Sequence, residues 1–81
     1  MLANLLTAQE IETMAQMEVP SQLLEELKGV DFTTHSSEFL YGYMNALKHS
    51  ITVLNQNDDI LSARPLGIMF KGAAIAWLEK Q

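Results

Sequence analysis

The two histidines, His35 and His49, come first in a search for chemistry, because imidazole serves as base, proton shuttle or metal ligand near neutral pH. His49 lies between Lys48 and Ser50, with no carboxylate or second histidine at helical ligand spacing, and reads as a solvent-facing side chain. His35 stands among hydroxyls, with Ser36 beside it, but nothing orders them into a nucleophile–base–orienter set. Asn55, Asn57 and Asp59 match positions 1, 3 and 5 of a calcium-binding loop. The glycine that loop needs at its sixth position is Ile60, and the bidentate glutamate of its twelfth is Leu66. Glu25–Glu26 and Asp58–Asp59 are sequence neighbours, about 100° apart on a helix, so neither pair forms an acid–base dyad. The four glycines are scattered and make no phosphate cradle. With no cysteine, the chain has neither disulfides nor thiolate sites. These residues predict no enzyme, no metal and no cofactor.

Charge is more informative. Residues 1–31 carry Glu10, Glu12, Glu18, Glu25, Glu26 and Asp31 against Lys28 alone, whereas residues 32–81 are balanced. The net charge of −5 therefore belongs to the first third. A chain of that sign repels phosphate backbones, which argues against direct nucleic-acid binding. Hydrophobic residues make up 48% of the chain, too many for a disordered segment. The most apolar window, Leu66 to Leu78, is cut by Lys71 and falls short of the roughly 20 residues that span a bilayer. The N-terminus lacks a basic region and a long apolar stretch, so a cytoplasmic location with no membrane association is expected.

The elements that must position these residues are helical. Thr7 and Glu10 form a capping box, and Leu6 and Ile11 stand where a hydrophobic staple would place them. A first helix should run from about Ala8 to Met17 and stop before Val19, which precedes Pro20. Pro20 suits the opening of a second short helix, about Pro20 to Lys28, closed by Gly29. After a polar connector rich in capping residues, Leu40, Met44, Leu47, Ile51 and Leu54 repeat at spacings of four and three. They predict a long helix from about Ser36 to Asn55. A last helix is expected to open at Pro65, with Ile60 to Arg64 giving at most a partial turn before it. It carries Leu66, Phe70, Ala73 and Trp77 on one side and Ile68, Gly72 and Ile75 on another. The expected fold is all-α: one domain over residues 1–81, two short helices and then a long antiparallel hairpin.

Two readings of packing follow. Gly42 with Ala46, and Gly72 with Ala76, place small residues four apart, and a hairpin turning near Asp59 would lay Trp77 over Gly42. A last helix apolar nearly all round must be enclosed on more than one side. A homo-oligomer with Ile68, Gly72, Ile75 and Leu78 at its interface would enclose it. Tyr43 is expected in the core. Tyr41 points away from the seam, either as an exposed contact residue or lying over a neighbouring helix.

The leading functional expectation is a small regulatory module of the kind bacteria and phages use to modulate or inhibit a larger protein. Its partner would present a basic patch to Glu12, Glu18, Glu25, Glu26, Asp31 and Tyr41. The alternatives are a ligand-binding protein that holds a small nucleotide-like anion near Arg64, Lys71 and Tyr41, and an acidic decoy of nucleic acid.

Overall fold

Local capping decides where each helix begins. In the computed structural model, which describes residues 5–19 and 31–81, helix α1 spans Ala8–Gln16, a 3-10 turn spans Phe32–Thr34, α2 spans Ser37–Gln56 and α3 spans Ile60–Glu79. The all-α class holds, and there is no strand among the described residues. Three α-helices lie among the described residues, and the short helix expected over residues 20–28 lies outside them.

At the start of α1 the Thr7 hydroxyl accepts from the Glu10 N–H at 3.2 Å, and a Glu10 carboxylate oxygen accepts from the Thr7 N–H at 3.1 Å. Leu6 and Ile11, the staple pair, are both buried. Ser36 opens α2 by accepting from the Phe39 N–H at 3.1 Å. Along α2, Leu40, Met44 and Leu47 are buried, and Ile51 packs against them.

The turn between α2 and α3 uses its acids structurally. Asp58 takes the left-handed conformation at φ 59°, where glycine is usual. The Asp59 N–H donates to the Leu54 carbonyl at 2.8 Å and the Asp58 N–H to that of Asn55 at 3.1 Å, closing α2 in the Schellman pattern. The Asp59 carboxylate then accepts from the Ser62 N–H and starts α3. Helix α3 therefore opens at Ile60, five residues before the expected Pro65, which sits inside it. The carbonyl that Pro65 cannot serve is that of Leu61, a residue 77% exposed, so water can take it. With residues 60–66 helical, the segment from Asn55 has no calcium-loop geometry.

The core is organised around α3. Helix α2 lies along it as the antiparallel hairpin, α1 packs against it, and the 3-10 turn packs on it as well. Phe70, Ala73, Ala74 and Ala76 are buried among these partners with Ile11, Leu40 and Met44. The side of α3 that carries Phe70, Ala73, Ala74 and Ala76 is thus covered within one chain, whereas Ile75 on its second side stays 40% exposed. Trp77 does not lie over Gly42: a side chain added at Gly42 would meet nothing within 4 Å. Trp77 faces Tyr41 instead, with ring centroids 6.5 Å apart. The hairpin register brings Tyr41 to the tryptophan, and the neighbouring residue turns to solvent.

Candidate functional site

Two flanks of α3 differ in how their polar groups are used. On the α1 flank, Lys71 donates to the backbone carbonyls of Ala15 at 2.7 Å and Met17 at 2.6 Å. A cation thus sits at the C-terminal end of α1, where unpaired carbonyls and the helix dipole favour it. The Tyr41 hydroxyl donates to the Leu6 carbonyl. The Leu6 N–H donates to Asn45 Oδ1 at 2.9 Å, and Asn45 Nδ2 donates to the Tyr41 carbonyl at 2.8 Å. One residue of main chain is thereby held at both its donor and its acceptor by two side chains of α2. Lys48 pairs with Glu10 at 3.3 Å. The capping hydrogen bond from Thr7, with the Lys48 contact second, holds the Glu10 carboxyl below its ordinary value. A hollow of about 260 Å³ lies here, lined by Leu6, Glu10, Thr13, Met14, Lys48 and Phe70.

A second flank of α3 is partly open among the described residues. A groove of about 240 Å³ runs between the 3-10 turn, which supplies Asp31, Phe32 and Thr33, and α3, which supplies Gly72, Ile75, Ala76 and Glu79. Asp31 caps the 3-10 turn, accepting from the Thr33 N–H at 3.0 Å and from the Thr33 hydroxyl. Those bonds lower its carboxyl below the ordinary value, with a smaller contribution from the Lys80 charge. The acid is therefore fixed in place, ionised and exposed. Ile75, 40% exposed, stands in the same groove.

Aromatic residues continue this flank onto α2. His35 stacks on Phe39 with centroids 4.4 Å apart, Phe39 and Tyr43 are near-parallel at 6.2 Å, and Phe32 meets Tyr43 at 6.1 Å. Tyr43 packs on the core as expected, donating its hydroxyl to the Met69 sulfur at 3.8 Å, and burial raises its pKa. Phe39 is 52% exposed.

The structure joins members of two sets that the sequence kept apart. Asp31, from the acidic set, shares the groove with Gly72 and Ile75, from the expected subunit interface. Ile68 of that interface is only 5% exposed within the single chain, and Leu78 packs against the core. Glu12 and Glu18 are exposed but do not line the groove, and Glu25 and Glu26 lie outside the described residues. Tyr41 takes the second of its two expected positions, lying against Trp77 with its hydroxyl engaged. Lys71, expected near a bound anion, is committed to α1. Asn45, Phe32, Thr33 and Glu79 were not singled out. A helix-disfavoured asparagine beside the seam is a signal for Asn45, and the lone charge in the apolar window is one for the tethering role of Lys71.

Asp31 and Glu38 flank His35 in sequence, yet no three His, Asp or Glu side chains converge as a metal-ligand set among the described residues. His49 lines a shallow groove with Asn45, Lys48 and Thr52. No helix among the described residues is long and apolar enough to cross a membrane. No known family model, curated protein or solved structure matches this chain.

Proposed function

We propose that this chain is a small, non-enzymatic interaction module that binds a larger protein and modulates it. Its contact surface is the groove between the 3-10 turn and α3. The observation that carries the reading is the meeting there of an ionised, rigidly held carboxylate, Asp31, with a second acid, Glu79, and the exposed apolar side chain of Ile75. An apolar floor with a charged rim is the usual anatomy of a protein contact, and the sign of the rim favours a basic patch opposite. A second copy of this chain is the poorer occupant, because it is itself acidic and α3 is already enclosed on its other flanks. A bound nucleotide-like anion is likewise disfavoured at an acidic rim.

The test is affinity capture from the native host with the unaltered chain and with Ile75→Glu and Asp31→Lys variants, each at low and high salt. The reading predicts one stoichiometric protein partner, retained best at low salt and lost with both variants. Both variants should keep their helical signal; Ile75→Glu should lie within about 0.5 kcal/mol of the parent's stability, and Asp31→Lys, which also removes the cap of the 3-10 turn, should cost about 0.5–2 kcal/mol. Capture of the same proteins by all three chains would overturn it.

A further inference from the structure

We infer that the aromatic row beside the groove, His35–Phe39–Tyr43, is a seat for an arginine side chain of the partner, with Asp31 supplying the counter-charge. The inference rests on the interaction reading above and adds the chemistry of the contact. His35 covers one face of Phe39 at 4.4 Å. Tyr43 is 6.2 Å away and only 11° from parallel, an offset arrangement that does not lay one ring squarely over the other. The 52% exposure of Phe39 agrees with that. An uncovered aromatic face attracts a cation, and a flat guanidinium can stack on it where a compact ammonium cannot.

The second requirement is a carboxylate close to the ring. Asp31 and His35 are the two caps of the same three-residue 3-10 turn, and His35 stacks on Phe39. Its two hydrogen bonds to Thr33 fix the carboxylate before any partner arrives, so little ordering is left to be done on binding. Both Thr33 bonds fall on Oδ1, which leaves Oδ2 to accept from an arriving guanidinium, and the preference for arginine over lysine comes from the stacking face. Lys80 also lies within the electrostatic range of Asp31, so the arriving guanidinium must compete with it. Nucleobases also stack on exposed rings, but the phosphates they bring would meet Asp31 and a chain of net charge −5.

The experiment is an NMR titration of the whole chain with Nα-acetyl-arginine amide, with Nα-acetyl-lysine amide, and with a short single-stranded oligonucleotide. The arginine compound should shift the ring signals of Phe39 and His35 and bind several-fold more tightly than the lysine compound. Phe39→Ala should weaken arginine binding roughly two- to fivefold, the value of an exposed cation–π contact. Asp31→Asn, which keeps the cap but removes the charge, should weaken it by a similar factor and reduce its salt dependence. Equal binding of arginine and lysine, ring signals unmoved by arginine, or tighter binding of the oligonucleotide would each overturn the inference. An arginine response that survives while no protein partner is captured would sink the interaction module and leave the seat intact. Partner capture that depends on Ile75 but not on Phe39 would do the reverse.

Discussion

The two flanks of α3 make opposite use of similar residues. On the α1 flank a lysine, a tyrosine, an asparagine and an ion pair all bond to backbone or to one another, and each holds the N-terminal segment down. On the groove flank the acids stay on the rim, Ile75 and Phe39 keep much of their surface in water, and only the Asp31 cap serves the fold. Polar groups committed to the chain's own backbone secure the fold, whereas exposed charge beside exposed apolar surface is available to something else. A small domain has little core to spare. Among the described residues, the groove flank is the less covered of the two.

The largest effect expected on the α1 flank comes from Lys71→Met, which removes two charged hydrogen bonds to the end of α1. It should destabilise the chain by about 2–3 kcal/mol in urea unfolding. A loss below about 0.5 kcal/mol would mean that α1 is held by its apolar face alone, and the contrast between flanks would lose its main support. Asn45→Ala should cost about 1–2 kcal/mol, because it strands the Leu6 N–H in a half-buried site. An unchanged hydrogen-exchange rate at Leu6 would show that water replaces the side chain.

Much of the skeleton was legible because short-range chemistry set it. Thr7–Glu10 and the leucine seam from Leu40 to Leu47 act within one or two helical turns, and both lie where their spacing put them. Pro65 misled because a proline that can open a helix can also be tolerated just inside one when Asp59 supplies the cap. Ile68, expected at a subunit interface on α3, is already 5% exposed within the single chain. Apolar periodicity tells which faces are covered but not by what. The groove was the least legible part. Asp31 and Ile75 are 44 positions apart, and no local pattern announces a meeting over that distance.

Gly42→Ala gives a smaller and opposite effect. Nothing stands within 4 Å of the added carbon, so improved helix propensity should stabilise the chain by about 0.5–1 kcal/mol. Destabilisation would restore a packing role for that glycine.

The smallest effect is in the acid limb of stability. Folding depresses the Glu10 carboxyl below its ordinary value of 4.5, so the stability it contributes is full above that pH and is lost as pH falls through the folded value. Glu10→Gln should therefore flatten the decline of stability below about pH 4.5 and leave its slope near neutrality unchanged. A parallel acid limb in the variant would show that the capping box, rather than its charge, is what matters at Glu10.

The most direct measurement is site-specific photo-crosslinking in the native host, with the crosslinking residue placed in turn at Thr33, Ile75 and Thr13. Thr33 and Ile75 line the open groove, and Thr13 lines the hollow on the α1 flank. The account predicts one shared protein adduct from Thr33 and Ile75, and none of it from Thr13. An adduct formed from Thr13 alone, or adducts only to other copies of this chain, would contradict it.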